Sequence, residues 1–543
     1  MRRVIVAWVI GASLSGAGTV RAQTAHSWPA FAGSALRGST SPRAAPSIGT
    51  PTWVRSTDAQ GNTITFAGQA GVAVSIDLVL AQGSVTPAGQ GVQHKLFAVD
   101  RRTGGIAWAA PVPAPYVDSW STPAVDVMHG TVLVASGAFV TALSLKTGAQ
   151  VWQASFSHPV VDASPLVTSG WGADGLGVAN RCFVTEYDGF GDDGRLACIN
   201  VDAYHATHNP FQPGQVVWSV VIGASSGNTP ALWNGRVFVT NAGLYGSGPG
   251  QVMAFDARAT STPDPLWVCD NPAGEAFFGG VCVRPRADGA DVYCASYAFF
   301  GGTNSANLVK LDAPTGVLRW STPCNRTSAT PVVLPDGRIA VSGGVRGYGT
   351  VPTLQLFRDD GAGATMLWDS AAGTWNDTNV NGVMDLGEFL LLGGWSHQPL
   401  VALGSGGNAA RLFVGAVPSN PNSTGACTDL YSVDVSKLPT SPGGALPGYL
   451  AQHYAGAGST PAVADGNVYT LGPGGLAAFG PAPLRFDVDG DGFIDVGDLY
   501  AWEQGRGSRD VNLDGLTTDT DRGALLLELR GNEFEDMLAG RNP

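Results

Sequence analysis

The sequence predicts an all-β protein, an eight-bladed β-propeller, followed by a small α-helical domain built on paired calcium loops. Three observations carry this. An apolar strand, an Asp or a stand-in, a Thr-Gly turn and a Trp recur through the middle of the chain, at a mean step of 52 residues between Trp108 and Trp368. Gly is abundant, 75 of 543 residues, and only 13% of residues are charged, which suits short strands and tight turns rather than a helical bundle. The net charge of −13 is concentrated at the end, where the 63 residues from Pro481 hold 10 Asp and 4 Glu against 6 Arg. No stretch is basic enough to point to a nucleic-acid partner.

The first 22 residues read as an export signal. "MRR" gives a positive start, "VIVAWVIGASLSGAGTV" an apolar core, and Val20 and Ala22 the small residues before a cut at Ala22–Gln23. No later run approaches the ~18 apolar residues of a spanning helix, so the expectation is a secreted or extracytoplasmic chain with no membrane span once matured. Residues 23–49 form an N-terminal segment without periodicity.

Residues 50–481 carry the repeat. It is seen in "LFAVDRRTGGIAW" ending at Trp108, "VTALSLKTGAQVW" at Trp152 and "LVKLDAPTGVLRW" at Trp320, with looser copies ending at Trp218, Trp267 and Trp368. A second phrase opens most units: "STPAV" at Ser121, "ASPLV" at Ala163, "NTPAL" at Asn228, "ATPVV" at Ala329, "HQPLV" at His397 and "STPAV" at Ser459. Asn-Gly and Asp-Gly turns follow several of them. A four-stranded unit of about this length has two apolar faces and cannot bury both alone; a ring of units can, and closure protects the edges. Eight units are counted, with the Trp filling the gap between neighbours. The eighth is short, and "TPTWVRS" around Trp53 is expected to supply its outer strand.

Cys182 and Cys198, and Cys282 and Cys294, flank predicted hairpins, and each pair could form a cross-strand disulfide in an exported protein. The connectivity of the seven Cys stays open. Other sites are sparse: His205 and His208 fit a solvated loop better than a metal site, and Asp192 and Asp193 a hairpin turn. Asn325 and Asn422 match glycosylation acceptors.

Three acidic loops carry clearer chemistry. A twelve-residue calcium loop takes oxygens from positions 1, 3, 5, 7, 9 and 12, with Gly at 6 for the bend, because carboxylates crowd together only around a cation. "DVDGDGFIDVGD" places Asp487, Asp489, Asp491, the Phe493 carbonyl, Asp495 and Asp498 there. "DVNLDGLTTDTD" places Asp510, Asn512, Asp514, the Leu516 carbonyl, Thr518 and Asp521. An apolar stretch follows each and reads as a helix. The third, "DTNVNGVMDLGE", lies inside the propeller region and offers Asp377, Asn379, Asn381, the Val383 carbonyl, Asp385 and Glu388.

"LFAVDRRTGGIAW" and its copies resemble the repeat of pyrroloquinoline-quinone-type eight-bladed propellers, the family of quinoprotein alcohol dehydrogenases and of the propeller subunit of the outer-membrane assembly machinery. The resemblance implies the fold. Those enzymes also carry adjacent cysteines over the quinone; no Cys-Cys pair occurs here, so a quinone cofactor is not expected. Residues 482–543 resemble a dockerin-type EF-hand module, which implies Ca²⁺ and a cohesin-like partner. The functional expectation is a calcium-binding scaffold, tethered through its tail, whose propeller takes a protein or glycan ligand. The alternative is an enzyme, either a quinone-dependent dehydrogenase or a polysaccharide-active part of a cohesin–dockerin assembly.

Overall fold

The computed structural model describes residues 27–538 apart from 118, 169–177, 226–227, 244–247, 299–300, 346–348, 404–409, 418–426, 481–485, 487, 489–495, 508 and 512–515. The signal sequence, Asn422, and the loop residues Asp487, Asp489, Asp491, Phe493, Asp495, Asn512 and Asp514 lie outside the described residues.

Eight sheets form the expected ring of blades. From inner to outer strand, blade 1 runs from Ala73–Val74 to Ile106–Pro111, blade 2 from Ala124–Asp126 to Gln150–Ser155 and blade 3 from Leu166–Val167 to Val216–Val221. Blade 4 runs from Ala231–Trp233 to Trp267–Asp270, blade 5 from Cys282–Arg286 to Leu318–Cys324 and blade 6 from Val332–Val333 to Ala364–Asp369. Blade 7 runs from Leu400–Ala402 to Leu450–Ala455. Blade 8 takes three strands from Ala462–Phe479 and its outer strand from Trp53–Arg55, which pairs antiparallel with Gly475–Phe479 in the register Trp53↔Ala478. The ring is thus closed by the stretch that the sequence nominated.

The repeat Trp works between blades. Trp108 of blade 1 lies on Gly148 of the Thr-Gly turn of blade 2, and its indole N–H donates to Leu145 O at 2.9 Å. Trp53 meets Gly104, Trp152 meets Gly214 and Trp267 meets Gly316 in the same way. Trp368 and Tyr454 continue the series edge-on against Tyr449 and Phe479. A β-bulge beside the Trp, as where Ala98 pairs with Trp108 but Val99 with Ile106, twists the outer strand. The Thr-Gly turn is therefore the seat of the preceding blade's Trp, a finer role than the turn before its own.

The "TP" phrase is also an inter-blade device. The Gly71 N–H donates to Thr122 Oγ1 (3.1 Å), Thr122 N–H to Ser164 Oγ (2.9 Å) and Ser164 N–H to Thr229 Oγ1 (3.1 Å). Thr330 N–H donates to Gln398 Oε1 (2.8 Å), Gln398 N–H to Thr460 Oγ1 (3.4 Å), and the Thr460 hydroxyl to Gln69 O (2.9 Å). Blade 5 has Gly279 and Gly280 here, where a Cβ would overlap the Ser328 and Thr229 carbonyls. The residue before each Pro thus belongs to a girdle around the axis.

Below the girdle the N-terminal segment crosses the ring. Trp28 bridges to Val74 of blade 1, and Pro29 O accepts from Val125 of blade 2. Ala35 O and Leu36 O accept from Leu232 and Val283 of blades 4 and 5. Thr40–Ser41 adds a parallel strand to Leu400–Ala402 of blade 7. Arg37 is fully buried and donates to the carbonyls of Phe31, Pro165 and Pro230. This segment stops one end of the channel.

Both hairpins flanked by Cys are present, but neither disulfide fits. Cys182 pairs with Ile199 while Cys198 pairs with Phe183, and Cys282 pairs with Tyr293, the neighbour of Cys294. Side chains alternate along a strand, so in each pair the two sulfurs lie on opposite faces of the sheet. All seven Cys are free thiols. Burial pushes the thiol pKa up at Cys182, Cys198, Cys282 and Cys294.

After the propeller in the chain, helices Val496–Glu503 and Asp519–Leu538 touch each other over a small core of Phe486, Val488, Trp502, Val511 and Leu525.

Candidate functional site

The inner strands define the site. Along each, the girdle residue is preceded by the end of the ring opposite the N-terminal segment. There a cavity of about 700 Å³ opens. Its wall is supplied two positions before the girdle: Gln69 in blade 1, Trp120 in blade 2, Asp162 in blade 3, Phe278 in blade 5 and Ser328 in blade 6; blade 7 contributes Trp395, one residue further back. Blade 1 adds Phe66, Gln82, Ser84 and His94.

Aromatic rings dominate. Trp120 and Trp395 meet at 87° with centroids 5.3 Å apart. Phe190, Phe278 and Tyr297 stack in a column, with centroid separations of 5.2 and 4.5 Å. Tyr187 closes edge-on against Phe190 at 5.4 Å. The polar groups are hydroxyls and amides, with one carboxylate, Asp162, and one imidazole, His94. Asp162 sits at φ 60° and its Oδ1 accepts from the Trp120 N–H (3.1 Å), while its own N–H donates to Ser119 Oγ (3.0 Å). The Ser328 hydroxyl and the Trp395 indole N–H are buried in this wall without a hydrogen-bond partner. Among the described lining residues there is no Lys, Arg or Cys.

The sequence did not single out these residues. Trp120, Trp395 and Tyr297 are among the aromatic residues that the repeat does not explain, and that was the available signal.

The third acidic loop folds on itself. Glu388 is 93% buried by its neighbours' cover, only 7% of its surface being exposed. Its Oε1 accepts from the N–H groups of Thr378 (2.9 Å) and Asn379 (3.2 Å), and its Oε2 from the Trp375 indole (3.1 Å) and the Asp385 N–H (3.3 Å). The Trp375 bond, with those from Thr378 and the backbone, holds the carboxyl pKa down at about 2. The amides of Asn379 and Asn381 both donate to Asp385 Oδ2, at 2.8 and 2.7 Å, and Asp377 accepts from the N–H groups of Asn381 and Gly382. Positions 1, 3, 5, 9 and 12 therefore share one small loop. Val383, at position 7, is exposed.

The described part of the tail repeats this closure. Position 12 accepts from the N–H of position 2 in every loop: Asp498 from Val488 (2.6 Å), Asp521 from Val511 (2.8 Å) and Glu388 from Thr378. Asp521 also accepts from Thr518, its position 9, as Glu388 does from Asp385. Asp510 and Leu516 lie in the described edges of the second loop, and Leu516 is exposed. Among the described residues no three carboxylate, imidazole or thiol groups are gathered closely enough to hold a metal by themselves. In the Asp377 loop the Asn oxygens and the Val383 carbonyl would have to complete the shell.

The remaining candidates are structural. His205 Nδ1 accepts from the N–H groups of Thr207 and His208 in an exposed turn. Asp193 pairs with Arg195 at 2.8 Å beside a hairpin. Asn325 is fully buried, and its amide donates to Val351 O and Thr353 Oγ1, which removes it as a glycosylation acceptor.

No family model matches the chain, and no curated protein sequence matches it. It is similar in structure to the quinohemoprotein alcohol dehydrogenase ADHIIG from Pseudomonas putida HK5, with a TM-score of 0.52 and 12% identity over 83% of this chain and 76% of that one. A europium-containing methanol dehydrogenase gives a TM-score of 0.52 and 11% identity, over 82% and 89%. The quinohemoprotein alcohol dehydrogenase from Comamonas testosteroni gives 0.51 and 12%, over 83% and 77%. The likeness is one of fold. A quinone bearing three carboxylates does not suit the described cavity wall, which sets Asp162 against it and offers His94 but no Lys or Arg.

Proposed function

We propose that the chain is an exported ligand-binding propeller rather than a redox enzyme. The observation that carries this reading is the cavity on the ring axis, walled by aromatic rings, hydroxyls and amides together with Asp162 and His94. The competing reading, a quinone-dependent dehydrogenase, draws on the fold likeness alone.

Calcium belongs to the same proposal. The loop from Asp377 to Glu388 would order the long connection between blades 6 and 7, with Asp377, Asn379, Asn381, the Val383 carbonyl, Asp385 and Glu388 as ligands. The tail would take two further ions and offer its helices to a cohesin-like partner.

The deciding experiment incubates the full chain with pyrroloquinoline quinone and Ca²⁺. The expected result is neither a stoichiometric quinone absorbance nor dye-linked oxidation of alcohols. Stoichiometric quinone together with alcohol oxidation overturns the reading.

A further inference from the structure

We propose that the axial cavity binds a neutral carbohydrate, taking the end of a saccharide chain against Trp120 and Trp395. This inference rests on the binding-propeller reading and names its ligand class.

The argument starts from what the aromatic residues are not doing. Trp53, Trp108, Trp152 and Trp267 are accounted for by their glycine seats in the next blade. Trp120 and Trp395 have no such seat; they stand at the mouth of the ring, from blades 2 and 7. They meet edge to face, and Trp395 also meets Tyr297 at 64° with centroids 5.7 Å apart, yet both Trp side chains remain only partly buried where they line the cavity. A flat apolar ring face beside water is what the C–H face of a pyranose stacks upon, and it is costly to leave exposed without a partner.

The polar complement agrees. A sugar presents hydroxyls, each both donor and acceptor, and is matched by groups of mixed character. Gln82, Ser84, Ser119 and Ser136 supply these, and Asp162 supplies a strong acceptor. His94 is the one basic side chain among the described lining residues, and with no Lys or Arg beside it and Asp162 in the same wall, an anionic ligand is poorly matched. A quaternary ammonium ligand is also less suited. Such ions sit within a cage of ring faces, whereas Phe278 spends both faces on Phe190 and Tyr297, at interplanar angles of 23° and 13°, and the Arg326 guanidinium already stands 5.5 Å from the Tyr297 ring centre. The volume of about 700 Å³ accommodates a short oligosaccharide end rather than a single small ion.

The test uses the full chain and a panel of defined neutral tetrasaccharides: cellotetraose, xylotetraose, mannotetraose and maltotetraose. Tetramethylammonium and pyrroloquinoline quinone serve as cationic and anionic comparators. Binding is read by titration calorimetry and by protection of tryptophan fluorescence from iodide quenching. At least one tetrasaccharide is expected to bind and to protect. Trp120→Ala should weaken that binding by about tenfold or more, and Trp120→Phe, which keeps a stacking face, by clearly less. Far-UV circular dichroism and melting temperature establish that the variants fold; iodide protection in the unmodified chain needs no variant.

No binding by any tetrasaccharide at about 10 mM, a free energy below some 3 kcal/mol, overturns the inference. So does binding that Trp120→Ala leaves unchanged. Binding of tetramethylammonium alone removes the saccharide and leaves the binding-propeller reading standing. Stoichiometric quinone with alcohol oxidation removes both.

Discussion

Gly148 lies against the indole of Trp108 so closely that a Cβ on it would fall 2.6 Å from Cε3. The glycine also sits at φ 72°. The first blade thus rests on a position in the second where only hydrogen fits. Gly148→Ala is expected to destabilise the propeller by about 2–4 kcal/mol, from left-handed backbone strain plus displacement of the ring. Gly130 has a similar φ of 60° with open space around it, so Gly130→Ala isolates the backbone cost, about 1 kcal/mol. Urea midpoints of the two variants measure the difference; equal losses would remove the packing role.

His129 joins two blades. Its Nδ1 meets Asp126 Oδ2 at 2.7 Å and its Nε2 meets Asp202 Oδ1 of blade 3 at 2.9 Å. The Asp126 bond, then the Asp202 bond, raise its pKa to about 10. A raised folded-state pKa means that the contribution is complete below the unfolded value of about 6.5 and is lost as pH rises through about 10. His129→Gln should cost about 1–2 kcal/mol at pH 6, discounted for partial exposure, and progressively less toward pH 10. Urea unfolding across that range should show the gap closing; a gap independent of pH would contradict the assignment.

Calcium should matter to the propeller and not only to the tail. Added Ca²⁺ is expected to raise the melting temperature of the full chain, with about 2.7 kcal/mol gained at a hundredfold excess over Kd. Glu388→Gln should remove one component of that response, and Asp498→Ala with Asp521→Ala the other. Differential scanning calorimetry with and without chelator separates them. A chelator-insensitive chain would end the proposal.

The thiols provide a further check. Peptide mapping of non-reduced protein is expected to find no Cys182–Cys198 and no Cys282–Cys294 linkage, since each pair spans the thickness of its sheet. Either linkage would refute the register described above.

What was legible in the sequence is what repeats. The Trp and the "TP" phrases recur because every blade must seat its neighbour and join the girdle, so count, order and the closing strand at Trp53 could all be read. The cysteine hairpins were read correctly as hairpins, but pairing slipped by one residue, and a slip of one places side chains on opposite faces. The cavity was not legible because its residues are those that vary: Gln69, Trp120, Asp162, Phe278 and Ser328 hold equivalent places with unlike chemistry. The segment from Trp28 to Ser41 escaped notice because it works largely through backbone bonds to strands far along the chain, which leave no pattern in its side chains.

That segment has a consequence for how the molecule is made. Its partners reach from Val74 to Leu403, and Trp53 waits for Gly475–Phe479. Trp28 and Pro29 find partners in blades 1 and 2, but Thr40–Ser41 and Trp53–Arg55 stay unpaired until the strands of blades 7 and 8 exist. Contacts of such sequence separation make folding slow, and they leave open edges available to other chains meanwhile. Ring closure is thus the last step of assembly, made when Gly475–Phe479 receives Trp53–Arg55.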